Sequence, residues 1–176
     1  ASVFLEGPVT SDPDDGAFSI ALRRSYVDGV LAAVLSAADS SVSIAPRYYD
    51  YQARYDKPLG SRERMLTLLF YGSDDELIFL GDAGDGAPQG TESRTYFHRF
   101  NPRFTYQPSD GTRLVISPIA GYDYSNTTTS GDPSGNDIRF KIEDATLGVR
   151  IDGEAPLTDW LQFRIGGDLL WFLFVT

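Results

Sequence analysis

The sequence predicts an all-β fold: an antiparallel up-and-down transmembrane β-barrel with about eight strands present, in one domain covering residues 1–176. Three observations carry that expectation. Four stretches of nine or more residues place aromatic or aliphatic side chains on every second position and charged or hydrogen-bonding ones between them. That is the period of a sheet with one apolar and one wet face. The strands so delimited reach ten or more residues, longer than the usual globular strand and close to what crosses a bilayer at a tilt. Short turn clusters alternate with longer polar connections, so the two ends of the sheet differ.

Residues 1–7 read as a first strand with no basic leader, apolar stretch or cleavage site, so a segment upstream is expected. The Pro- and Asp-rich turn 8–16 leads to a strand at 17–26. Val30, Leu31, Val34 and Leu35 suit one helix face, which predicts a short helix at 27–38 within a connection spanning 27–44. The strand 45–56 sets Tyr49, Tyr51, Ala53 and Tyr55 against Tyr48, Asp50, Gln52, Arg54 and Asp56. A turn at 57–63 precedes a strand at 64–80 and a connection at 81–90. The strand 91–106 sets Tyr96, His98, Phe100, Pro102, Phe104 and Tyr106 against Arg99, Asn101 and Arg103. After a turn at 107–111, the strand 112–125 sets Leu114, Ile116, Tyr122 and Tyr124 against Arg113, Ser117 and Asp123. A third connection, 126–136, leads to a strand at 138–152 whose apolar residues switch from Phe140 and Ile142 to Ala145, Leu147, Val149 and Ile151. That change of phase predicts a bulge near Glu143 and Asp144. The last turn, 152–159, opens a strand at 160–175 with Leu161, Phe163, Ile165, Leu169 and Trp171 on one side.

Composition narrows the function classes. A net charge of −10 and a pI near 4.4 argue against nucleic-acid binding, which needs a basic surface. The longest apolar-leaning run, 29–38, falls short of the ~20 residues of a spanning helix. With no cysteine there is neither a disulfide framework nor a thiolate metal site. His98 is the only histidine and lies by phase among aromatic residues, so neither a catalytic triad nor a histidine-rich metal site is supported. The acidic run from Ser73 to Glu76 with Asp82 and Asp85, and the group Asp132, Asn136 and Asp137, lack calcium-loop spacing and read as solvated loops. No catalytic residue, metal ligand or cofactor is expected, and the chain is not read as an enzyme. In a barrel, Arg23, Asp50, Arg54, Arg99, Arg103, Arg139, Lys141, Glu143, Arg150, Arg164 and Asp168 are expected to face the lumen as cross-strand charge pairs. Tyr49, Tyr51, Phe100, Phe104 and Trp171 are expected to face lipid, and Tyr26, Tyr71, Tyr106, Tyr122, Tyr124 and Trp160 to join Trp171 in interfacial aromatic girdles.

The segments SVFLEGP (2–8), FSIALRRSYVDGVLAAVL (18–35), PRYYDYQARYDKPL (46–59) and LTLLFYGSDD (66–75) resemble the early barrel strands of TonB-dependent outer-membrane receptors. The resemblance covers about the first 75 residues; beyond them only the hairpin layout agrees. It implies a piece of a larger barrel in the bacterial outer membrane, with lipid as its surroundings. It also implies import of a large nutrient or metal chelate, whose identity the sequence does not carry. A plug domain and TonB are partners of that family, and the chain contains neither the plug nor a TonB-contacting segment. The end of the chain, 172–176, also lacks the terminal aromatic residue usual in outer-membrane barrels. Two alternatives stay open: a complete eight-stranded outer-membrane barrel with a structural or narrow-pore role, and a soluble lipocalin-like ligand-binding barrel.

Overall fold

The computed structural model describes residues 1–27, 43–82, 88–108, 110–130 and 137–175. They form one eight-stranded antiparallel sheet whose strands lie side by side in chain order. The strands are β1 (Ser2–Pro8), β2 (Ala17–Arg24), β3 (Ser43–Pro58), β4 (Arg64–Asp82), β5 (Pro88–Tyr106), β6 (Arg113–Ser130), β7 (Ile138–Thr158) and β8 (Leu161–Val175). Each pairs only with its neighbours in sequence, which is the up-and-down topology. The sheet is open: β1 and β8 are its edges and do not pair with each other. The short helix expected at 27–38 lies outside the described residues except for Val27.

Turn chemistry explains the first reversal. Asp12 caps a single 3-10 turn, Pro13–Asp15, by accepting from the Asp14 N–H at 2.9 Å. Gly16 then closes it at φ 87°, and a Cβ there would collide with the Asp56 carbonyl. Only glycine suits both demands.

The central strands outrun their expected ends. Residues 126–130 belong to β6, and β4 and β5 together shorten the expected 81–90 connection to 83–87. Strand β7 continues to Thr158 through a Pro- and Gly-containing stretch that reads as a turn, so the reversal itself is Asp159 and Trp160. The pairing of β6 with β7 runs unbroken past Glu143 and Asp144, so the expected bulge there is absent. The irregularity sits instead between Pro156 and Thr158. Proline has no N–H to give the ladder, which is why the register breaks beside it.

Paired residues share a face, so the register carries one row across the sheet: Val3, Leu22, Tyr51, Gly72, His98, Tyr122, Ala145 and Leu173. Measured from that row, the strands end at Ala17, Pro58, Tyr106 and Thr158, which are five, seven, eight and thirteen residues away. The hairpin ends step progressively down the sheet. Such stagger is the shear that accompanies tilted strands in a barrel wall.

The sheet has no second layer. Val115, 5% exposed, is the one buried aliphatic or aromatic side chain besides Pro46 among the described residues, and no large side chain is fully enclosed. The accessible surface is 11936 Å², against roughly 8,500 Å² for a folded globular monomer of this mass. A soluble sandwich or lipocalin-like barrel of 176 residues would enclose a core of such side chains. The large apolar residues here are left exposed on one layer of sheet instead of being enclosed.

Candidate functional site

The two faces of the sheet are chemically distinct. One face carries the row Leu5, Ile20, Ala53, Phe70, Phe100, Ala120, Leu147 and Trp171, with no polar member. Toward the hairpin turns it continues through Leu66, Phe104, Ile116 and Ile151. Tyr49, Tyr51, Phe100, Phe104 and Trp171 all lie on this apolar face.

Aromatic residues mark both limits of the apolar band. On β5 the limits are Tyr96 and Tyr106, ten residue steps apart, or roughly 34 Å along the strand at ~3.4 Å each. At a tilt near 45° that is about 24 Å of height, close to the apolar band of outer-membrane barrels. At the loop end the rings join into a belt. Tyr96 stacks on Tyr124 at 4.6 Å between centroids, His98 lies 5.5 Å from Tyr96 and 6.5 Å from Tyr122, and Tyr51 lies 5.7 Å from Phe70. Tyr51 Oη and His98 Nδ1 are hydrogen-bonded across β4. Gly72 stands between them in the register, and a Cβ there would strike both the Tyr51 phenol and the Phe97 carbonyl. The missing side chain is what lets Tyr51 cross to His98. Tyr106, Tyr122 and Tyr124 lie on this face as expected, whereas Tyr71 does not: it faces the other way and packs edge-on against Phe97 at 6.2 Å. Tyr26 and Trp160 lie outside the strands.

Two prolines face each other in the middle of the band. The ladder between β5 and β6 lapses between Phe100/Ala120 and Phe104/Ile116, where Pro102 and Pro118 stand opposite. Neither supplies an N–H. The Asn101 side-chain amide donates to the Pro118 carbonyl at 2.7 Å, so that carbonyl is paired despite the gap.

The opposite face is a ladder of charge pairs. Arg23 meets Asp50 at 3.2 Å, Arg150 meets Asp168 at 3.4 Å, and Arg164 meets Glu154 at 3.2 Å, each directly across two strands. Arg54 pairs with Asp56 at 2.7 Å, and Thr67 Oγ1 donates to the same carboxylate at 2.6 Å. Arg99 is the least exposed cation of these ion pairs: its Nη2 reaches both oxygens of Asp123 at 2.7 Å, and its Nη1 donates to the carbonyls of His98 and Tyr122. Its chain lies over Gly121, its partner in the register, where a Cβ would sit 3.0 Å away. Asp50, Arg54, Arg99, Arg103, Arg164 and Asp168 thus share the polar face.

Arg139, Lys141 and Glu143 do not join them. With no bulge in β7, all three fall on the continuation of the apolar face, in line with Thr128, Asn126 and Tyr124. The change of phase in the sequence is an exchange of polarity between the faces. Past the aromatic belt the formerly apolar face carries Glu76, Arg94 and Lys141, while Leu77, Phe79, Phe140 and Ile142 occupy the formerly polar one. The register splits the acidic run of β4 in the same way: Asp74 and Glu76 pair with Arg94 and Arg47 on one face, and Asp75 points to the other. Among the described residues no three His, Cys, Asp or Glu converge as a metal site. Asp85, Asp132 and Asn136 lie outside the described residues.

Asn101, Gly72 and Gly121 are the site residues that sequence reading misses. Their signal is relational, since each matters through the residue opposite it. No protein-family model, no curated protein and no solved structure matches the chain.

Proposed function

We propose that this chain is a section of the wall of a membrane-spanning β-barrel, with lipid against the Phe100 face and water or protein against the Arg99 face. The observation that carries the reading is the apolar band, bounded by aromatic rings at both ends on a sheet without a core. In hydrocarbon every backbone N–H and C=O needs a partner, and the side-chain bond to the Pro118 carbonyl meets that need where the ladder lapses. The unpaired edges β1 and β8 would be closed by further strands, which favours a larger barrel over a complete eight-stranded one. On that basis the chain is a passive wall through which a large nutrient or metal chelate is imported across the outer membrane of a bacterium, in the manner of a TonB-dependent receptor. A plug and an energy-coupling partner would come from elsewhere.

The test is insertion. Denatured chain diluted into lipid vesicles should show a blue-shifted Trp171 emission in a Trp160→Phe background, quenched by bromine on the acyl chains. A chain that is monomeric in plain buffer, with Tyr51, Phe104 and Ile116 shielded from water, would contradict the proposal.

A further inference from the structure

We infer that the strand ends just outside the aromatic belt form a docking rim for the phosphate-bearing headgroups of anionic lipid; this rests on the wall reading above. In the Tyr96 row of the belt and the two rows beyond it at the loop end, the face carries Arg24, Arg47, Arg94, Arg139 and Lys141 against Asp74, Glu76, Glu92 and Glu143. At the turn end the strands carry Lys57, level with Leu66, and Arg64, level with Tyr106, and no acid on this face among the described strand residues. Positive charge therefore exceeds negative charge, seven to four, in the two strips flanking the apolar band, in a chain whose net charge is −10. The acidic excess lies elsewhere. The other eight Lys and Arg stand among the remaining twenty-one acids, so the local excess of the sign that attracts phosphates lies in these two strips.

The cations are held in place by aromatic rings and carboxylates. Arg24 lies 5.5 Å from the Tyr49 ring centre, Arg94 5.5 Å from Tyr96, Arg64 5.9 Å from Tyr106 and Lys141 5.7 Å from Tyr124. Arg94 gives Nε and Nη2 to Asp74 at 3.0 and 2.7 Å, leaving further N–H donors of its five for an incoming phosphate. Arg47, Arg94 and Lys141 occupy one row on β3, β5 and β7, with Glu76 and Asn126 between them. Two strand spacings separate successive cations by about 10 Å, so each can meet its own headgroup.

The experiment compares partition of the full chain into vesicles of phosphatidylcholine alone and of phosphatidylcholine mixed with phosphatidylglycerol, at low and high salt. The chain should favour the anionic vesicles, and salt should erase the preference. A triple variant R47Q/R94Q/K141Q should lose on the order of 100-fold of that preference, at roughly fivefold per cation near an anionic surface. The charge-matched R23Q/R113Q/R150Q, on the opposite face, should keep it, as should R47K/R94K, which separates lost charge from lost folding. Equal partition of the unaltered chain into both vesicles, or equal losses in both triple variants, overturns the headgroup rim and leaves the wall reading standing. Entry into neither vesicle overturns both.

Discussion

Replacing Phe100 by arginine puts the account under the most strain. Phe100 lies near the middle of the apolar band, between Phe70 and Ala120 on the neighbouring strands, and is 42% exposed in the isolated sheet. It stands four residues from Tyr96 and six from Tyr106, which places it about 10 Å below one aromatic row and about 14 Å above the other for tilted strands. An arginine at that depth on a lipid-facing strand costs roughly 2–4 kcal/mol, whereas the same change at an interfacial position costs about 0–1 kcal/mol. In water a partly exposed surface position would shift stability by no more than about 0.5 kcal/mol. Denaturant titration of the chain refolded in vesicles, followed by far-ultraviolet circular dichroism, measures the difference. Phe100→Arg should be destabilised by several times as much as Tyr96→Arg. Equal, small losses at both positions would refute the claim that depth in a bilayer governs this face.

Other substitutions probe how the sheet is built. Asn101→Ala leaves the Pro118 carbonyl without its side-chain donor and, with hydrocarbon rather than water around that position, should cost about 1–3 kcal/mol in the same titration, the penalty for an acceptor left unmet. Gly72→Val drives Tyr51 away from His98 and should cost about 1–3 kcal/mol by overpacking, while Gly7→Ala, with open space around it, should be neutral in that measurement. A double-mutant cycle with Arg99→Gln and Asp123→Asn should return a coupling near 1 kcal/mol for this part-buried pair, and a coupling of zero would remove it as a structural rung.

The strand count, the up-and-down order and most of the apolar face were legible in the sequence because a period of two survives in each strand independently. Tyr49, Tyr51, Phe100, Phe104 and Trp171 fall on one face by parity alone. Parity misleads where the faces exchange polarity. Arg139, Lys141 and Glu143 look like continuations of the polar face only if β7 is given a bulge, and the unbroken pairing with β6 shows it has none. Tyr71 was misplaced for a related reason, since tyrosine suits a belt and equally suits contact with Phe97 on the polar side. Local composition also misjudged strand ends: the Pro- and Gly-containing 152–158 stretch is held in β7 by pairing with β8. The roles of Asn101, Gly72 and Gly121 could not be read at all, because each depends on which residue the register sets opposite.

The chain contains no cysteine, so single cysteines can be walked along β6 from Leu114 to Ser125 and labelled with an environment-sensitive dye in vesicles. Blue-shifted, lipid-quenchable emission should appear at the even positions and water-like emission at the odd ones apart from Val115 and Ser117, which the sheet itself buries. Emission that ignores parity, or even positions that are already shielded in buffer free of lipid, would contradict a wall standing between hydrocarbon and water.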